Sequence, residues 1–165
     1  MARFTVGKGI DNYIDKLDEL VLLSDEMIGR AIFEGAKIVT DKVNANINAL
    51  PVDNRSYKRY QESGTASAGI TSAQKAGLKN GLGIARKRDD GGFINVKVGM
   101  DGYNSTKSTR WPNGQPNAMI ARSIESGTSF RTKTPFISTA VNATRGAAEA
   151  AMAKEYDNQV RKVGF

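Results

Sequence analysis

The last third of the chain, residues 116–162, most constrains the fold, because it predicts two helices joined by a short polar turn. In the first helix, Ile120 and Ile124 recur on one face, and Gly127 stands where a left-handed C-terminal cap is needed. In the second, Thr134 is predicted as the N-cap and Pro135 as the first helical residue, since the fixed φ of proline suits that position. The two helices are therefore expected to meet at a defined angle.

Apolar residues at helical spacing also predict helices in the first 50 residues. One helix covers about residues 10–23, and Ser24 is predicted as the N-cap of a second, which Pro51 ends. Gly35 lies on the apolar stripe of the second helix and allows another helix to approach closely. We expect the alanine-rich final helix to pack there. Residues 2–6 are open to two interpretations, a short edge strand or a disordered arm.

The middle of the chain predicts a β-hairpin. Alternating residues in 82–87 and 93–98 flank the sequence Asp89-Asp90-Gly91-Gly92, which supplies the turn. The adjacent aspartates could suggest a catalytic or metal-binding pair, but at a hairpin tip beside glycines they are better explained as turn residues.

Two polar loops complete the pattern, at about residues 51–80 and 101–114. Trp111, in the second loop, is predicted either to cover the local core or to anchor an interface. The sequence therefore predicts one α+β domain spanning residues 1–165. It consists of a small antiparallel β-sheet packed on one face by two long helices plus shorter helices, with long polar loops.

The net charge of +7 lies in one segment. Residues 54–88 hold eight basic residues against Glu62 alone, whereas basic and acidic residues balance elsewhere. A localised positive field attracts a polyanion better than the same charge spread evenly, although a solvated loop explains the composition equally well. Tyr57 and Tyr60 could stack on bases there, or the loop could become ordered on a protein partner. The eight candidate DNA-facing or partner-facing residues are Arg55, Lys58, Arg59, Lys75, Lys79, Arg86, Lys87 and Arg88.

The composition argues against most catalytic and cofactor chemistry. The chain has no cysteine and no histidine, which removes the usual residues of zinc sites, disulfides and nucleophilic triads. Gly81-x-Gly83 lacks the third glycine of a nucleotide-binding loop. No segment has the length and apolarity of a membrane span or a signal peptide. We expect a cytoplasmic protein that is not an enzyme and binds no cofactor or metal.

The run Ala-Arg-x-Ile-Glu-x-Gly-Thr-Ser at residues 121–129, followed by Pro-Phe-Ile at 135–137 and an alanine-rich helix, resembles the tailed-bacteriophage head-tail joining family, also called neck or tail-completion proteins. The order of a long early helix, a glycine-rich basic middle and two strands is similar too. Many members carry a second proline where this chain has Ser138 and Thr139. The structural residues of the motif are Arg122, Glu125, Gly127, Thr128, Pro135 and Phe136.

This resemblance implies a structural virion protein in the head-tail neck, assembled in the host cytoplasm. It implies a homo-oligomeric ring, six-fold or similar, that joins the connector or stopper to the tail-tube or tail-terminator protein and lets DNA pass. Contact with genomic DNA would be non-specific. The alternative is a sequence-independent nucleic-acid-binding protein that uses the basic segment 54–88. An enzyme is the weakest hypothesis, because no acidic cluster has a convincing spacing.

Overall fold

The computed structural model of the chain describes residues 8–54, 62 and 64–164. Its helices are α1 (Lys8–Ala49), α2 (Ser72–Gly81), α3 (Asn117–Ser126) and α4 (Ile137–Lys162). Its strands are β1 (Leu82–Ile84), β2 (Arg88–Asp89), β3 (Ile94–Asn95) and β4 (Val98–Met100). The α+β class predicted from the sequence is confirmed.

Helix α1 is one continuous helix of 42 residues, so the predicted division at Ser24 is wrong. The Ser24 hydroxyl donates to the carbonyl of Val21 (2.9 Å) inside the helix and caps nothing. A serine can satisfy its hydroxyl on the preceding turn, and the sequence around it contains no proline to stop the helix. At about 1.5 Å per residue, α1 is about 63 Å long.

Helix α4 packs antiparallel against α1, as its small residues predicted. The Asn46 side-chain amide donates to the carbonyl of Phe136 (2.8 Å) near one end of the pair. Further along, a Cβ on Gly35 would lie only 2.7 Å from Met152 Cγ, so glycine is what allows the close approach there. On α4, Ala140 and Ala148 are buried in the contact.

Helix α2 lies within the stretch predicted as a loop, so that prediction is wrong for residues 72–80. Thr71 caps α2 in a capping box. Its hydroxyl accepts from the Gln74 amide, and the Gln74 side chain accepts from the Thr71 amide. Upstream, the loop is tied down where Asp53 N donates to the carbonyl of Ile70 (2.8 Å). Only one large apolar residue of α2, Leu78, is buried, which explains why no apolar period marked the helix.

The predicted hairpin is confirmed and consists of two short antiparallel ladders. Strand β1 pairs with β4, with Leu82 opposite Met100, and β2 pairs with β3 nearer the tip. At the turn, Gly91 and Gly92 both have positive φ (74° and 90°), which explains the two glycines.

The core lies where α1, α2, α3 and the start of α4 meet, and the β1–β4 ladder packs against it through Leu82 and Met100. Its buried members are Val43, Ile47, Leu50, Ile70, Leu78, Ile120, Ala121, Ile124, Phe136 and Ala140. The core covers only the C-terminal end of α1. No described side chain of α1 before Val39 belongs to this core.

Candidate functional site

The motif residues form the corner between α3 and α4. Helix α3 ends at Gly127, whose φ of 74° confirms a glycine-dependent stop. Its ψ of 168° is extended, however, so the left-handed helical cap predicted from the sequence is wrong. This part of φ/ψ space is accessible essentially to glycine alone. A Cβ at Gly127 would also lie 3.0 Å from the backbone nitrogen of Lys133.

Glu125, on the last turn of α3, caps the first turn of α4. One carboxylate oxygen accepts from the Ile137 amide (2.8 Å) and the other from the Ser138 amide (2.9 Å). These are N–H groups that have no partner inside a helix, and a negative charge is favourable at that end of the helix dipole. Glu125 thus fixes the position of α4 relative to α3.

Thr134 and Pro135 do not have their predicted capping roles. Helix α4 begins at Ile137, two residues later than predicted, and the Thr134 hydroxyl donates to the carbonyl of Thr132. The Thr134 amide donates to the carbonyl of Ile124 (2.8 Å), which ties the turn back to α3. The predicted local cap is therefore wrong, and the cap comes from a residue 12 positions earlier in the chain.

The hydrogen bonds to Glu125 change its pKa. Partial burial raises the pKa of the carboxyl group. The side chain of Ser138 and the backbone amides of Ile137, Ser138 and Phe136 donate to it, and together they lower the pKa below its ordinary value. The group is therefore ionised at neutral pH and unsuited to carrying a proton.

The remaining motif residues also serve the corner or lie outside it. Phe136 is buried in the core. Thr128 pairs its backbone with Arg131 through two hydrogen bonds (2.9 and 3.2 Å). Arg122 is exposed on α3, at a shallow groove of about 340 Å³ that Glu125 also lines.

Arg131 was not singled out by the sequence, yet it joins several elements. Its guanidinium donates to Ser123 on α3 (3.1 Å) and to Gln74 on α2 (3.1 Å), and burial lowers its pKa. It lines a cavity of about 730 Å³ beside Trp111, over whose ring Arg110 lies at 5.6 Å. No spacing or composition signal in the sequence marks this arginine.

The structure divides the basic candidate residues into different roles. Lys75 donates to the carbonyls of Asn48 (2.8 Å) and Leu50 (2.7 Å) and so caps the C-terminal end of α1. The structure thus gives Lys75 a structural role, and its contact with DNA stays a prediction. Lys79 is exposed on α2. Three candidates, Arg55, Lys58 and Arg59, lie outside the described residues, as do the tyrosines beside them.

Three basic candidates do come together, on the exposed part of the hairpin. Arg88 pairs with Asp90 (3.3 Å), and Lys87 donates to the backbone carbonyl of Asp25 on α1 (3.2 Å). Arg86 is exposed, and no carboxylate of the described chain pairs with Arg86 or Lys87. Positive charge is thus free on this surface.

The Asp89-Asp90 pair has the turn role predicted for it. Asp89 Oδ1 accepts from the Gly92 amide (2.6 Å), and Asp90 Oδ2 accepts from the Asn95 side chain (2.9 Å). Within the described ranges, no three acidic side chains are grouped so as to hold a metal ion.

None of the described helices is long and apolar enough to cross a membrane. Comparison with family models, curated proteins and solved structures finds no match to this chain.

Proposed function

We propose that this chain is a structural subunit of a tailed-phage neck. It forms a homo-oligomeric ring, six-fold or similar, between the connector or stopper and the tail-tube or tail-terminator protein, and DNA passes through the ring. The proposal starts from the resemblance of residues 121–137 to the head-tail joining family. It concerns a protein that acts by shape.

The observation that carries the proposal is the use made of Glu125. A carboxylate within a sequence motif is an ordinary candidate for acid–base chemistry. Here both of its oxygens accept backbone amides of α4, and its pKa is held low. The motif therefore builds a joint between two helices, which is the role of a structural signature.

Assembly would bury surface that the single subunit leaves exposed. Many large apolar side chains are more than a third exposed, including Val21, Leu22 and Phe93. Contiguous apolar surface on a soluble subunit marks a contact with another protein.

The basic hairpin surface would face the genome, where arginine and lysine contact phosphates without reading bases.

The oligomeric state of the purified protein tests the proposal. We expect native mass spectrometry to show one closed oligomer, either alone at high concentration or after addition of the connector and tail-tube proteins of the same phage. A phage that lacks the gene should accumulate DNA-filled heads and unattached tails. A protein that stays monomeric under all these conditions and binds neither neighbour would refute a role in the neck.

The second candidate function is sequence-independent binding of nucleic acid. It is favoured by the free positive charge of Arg86 and Lys87, next to Arg88. Each phosphate contact adds about 0.9 to the slope of log K against log salt. Changing all three residues to glutamine should therefore reduce the slope by about 2.7 if each contacts a phosphate.

The matched control for that experiment removes the same charge from α4. Arg145, Lys154 and Arg161 are exposed on α4, and their change to glutamine should leave the slope unaltered if the hairpin is the binding surface. Equal losses in the two triple variants would indicate a non-specific effect of net charge. No binding to duplex DNA at low salt would dismiss this function.

A further inference from the structure

The N-terminal part of α1 carries large apolar side chains that are more than a third exposed in the described structure. We call residues 13–24 the arm. All of its residues from 13 to 19 and from 21 to 23 are exposed, with Val21 at 71% and Leu22 at 83%. The large exposed apolar residues of the arm are Tyr13, Ile14, Leu17, Val21, Leu22 and Leu23.

The exposed stripe is a continuation of the face that α4 covers. Leu17, Val21, Ile28, Ala31 and Gly35 follow one another at spacings that keep them on one side of a helix. Ala31 and Gly35 are buried in this stripe. The same helix face is therefore packed in its later part and bare in the arm.

The bare part begins where α4 ends. Helix α4 has 26 residues against the 42 of α1, and Arg30 meets Gln159 near its last turns (3.5 Å). Beyond that level, Lys16 reaches back to donate to the carbonyl of Gly164 (3.0 Å). This contact lies within the arm, so a polar side chain of the arm touches the residues after α4 while its large apolar side chains stay exposed.

The charge of the arm restricts what can cover it. Residues 13–24 contain three acidic residues, Asp15, Asp18 and Glu19, and one basic residue, Lys16, a net charge of −2. Two arms packed on each other would bring these charges together, which is unfavourable. The partner surface should be apolar with a positive rim.

The same chain offers such a surface, at a groove of about 460 Å³ between α1 and the hairpin. Its apolar lining includes Phe33, Ile84 and Val96, and Arg86 and Lys87 stand at its edge without carboxylate partners in the described chain.

Two of the three acidic residues of the groove are paired with cations: Glu26 with Arg30 (2.5 Å) and Glu34 with Lys37 (2.6 Å). The third, Glu155, accepts from the neutral amide of Gln159 and keeps its charge. Arg86 and Lys87 against Glu155 leave the groove with a net charge of +1.

We propose that the arm of one subunit docks in this groove of a second copy of the chain, with its acidic residues facing Arg86 and Lys87. The contact joins two different surfaces, so each copy can give an arm and receive one. A contact of this type closes into a ring when the rotation between copies allows it. The proposal rests on the proposed function for its closure into a ring, but the pairing itself can be tested separately.

Disulfide trapping provides the test, because the chain has no cysteine of its own. One sample carries Val21→Cys on the arm and the other carries Ala85→Cys at the groove, and both positions are exposed. We expect mild oxidation of the mixture to give mainly the mixed dimer. The control mixture pairs Val21→Cys with Val141→Cys on α4, and it should give no preferred mixed dimer.

A charge exchange tests the same contact by a different route. One double variant carries Asp15→Lys and Asp18→Lys, and the other carries Arg86→Glu and Lys87→Glu. Each should weaken self-association at least tenfold, measured by analytical ultracentrifugation. Mixing the two double variants should restore it. Circular dichroism checks that each variant is folded, which is expected because all four side chains are exposed.

The outcomes separate this proposal from the proposed function. If the protein assembles and the arm and groove variants assemble equally well, arm docking is wrong and the neck ring is unaffected. Preferred cross-linking of arm to arm would likewise overturn the docking. If the protein stays monomeric but the arm variants lose binding to the connector or tail-tube protein, the occupant is that protein and not a second copy. A chain that never associates refutes both.

Discussion

Replacing Glu125 by glutamine isolates the effect of the charge that caps α4. The carboxylate accepts two amides, at 2.8 and 2.9 Å, and glutamine keeps one acceptor oxygen of the same shape. One hydrogen bond to an ionised group is lost, worth about 1 kcal/mol after allowance for partial exposure. The charge at the positive end of the helix dipole adds about 0.5 kcal/mol. We therefore expect Glu125→Gln to lower the free energy of unfolding by about 1.5 kcal/mol.

Urea denaturation followed by circular dichroism measures this loss. With an m value of about 2 kcal/mol per M, the midpoint should fall by about 0.75 M at pH 7. Glu149→Gln is the matched control, because Glu149 is exposed on α4 and makes no hydrogen bond or ion pair in the described chain. That variant should unfold within about 0.2 M of the parent.

The pH dependence gives the sign of the effect. The pKa of Glu125 is lowered in the folded protein, so its contribution is complete above the pKa of an unfolded glutamate, about 4.3. It is lost as the pH falls through the lower folded value. The gap between parent and Glu125→Gln should therefore shrink as the pH is lowered from 7 to 3. Equal midpoints at pH 7, or a gap that persists undiminished in acid, would refute the role of Glu125 as a charged cap.

Four further substitutions test the corner, the helix pair and the C-terminal end of α1 by the same denaturation assay. Gly127→Ala should cost about 1–3 kcal/mol, because its φ of 74° with extended ψ is strained for any side chain. Gly35→Ala should lower the free energy of unfolding by about 1–3 kcal/mol, because the added methyl group pushes α4 away from α1. Gly146 is exposed on α4 with open space around it, so Gly146→Ala should raise the free energy of unfolding by about 0.5–1 kcal/mol. Lys75→Met keeps the apolar stem but removes the hydrogen bonds to the carbonyls at the C-terminal end of α1. The free energy of unfolding should fall by about 1 kcal/mol. A destabilising Gly146→Ala, or neutral changes at the other three positions, would contradict the packing described.

Local chemistry determined where several elements stop. Pro51 cannot continue a helix, and α1 ends at Ala49. Gly127 supplies the positive φ that ends α3, and the two glycines after Asp90 supply the hairpin turn. These features were readable from the sequence because each depends on one residue and its immediate neighbours. The small residues of α4 likewise indicated a closely packed helix pair.

The sequence was misleading about two helical segments, at Ser24 and at residues 72–81. Ser24 has the residue type of an N-cap, but the helix runs through it because its hydroxyl bonds within the helix. Residues 72–81 lack an apolar period, yet they form α2, whose one large buried apolar residue, Leu78, packs in the core. Propensity is a weak guide in such cases, since packing overrides it.

The sequence by itself therefore determined the α+β class, the hairpin, the C-terminal ends of α1 and α3, and the position of the positive charge. Only the tertiary structure decided which residues satisfy the helix ends, because Glu125 and Lys75 reach groups 12 or more positions away in the chain. It also decided which part of the long apolar stripe on α1 is covered. The burial of the α1 stripe depends on where α4 ends. The sequence of α1 does not indicate how long the helix packed against it is.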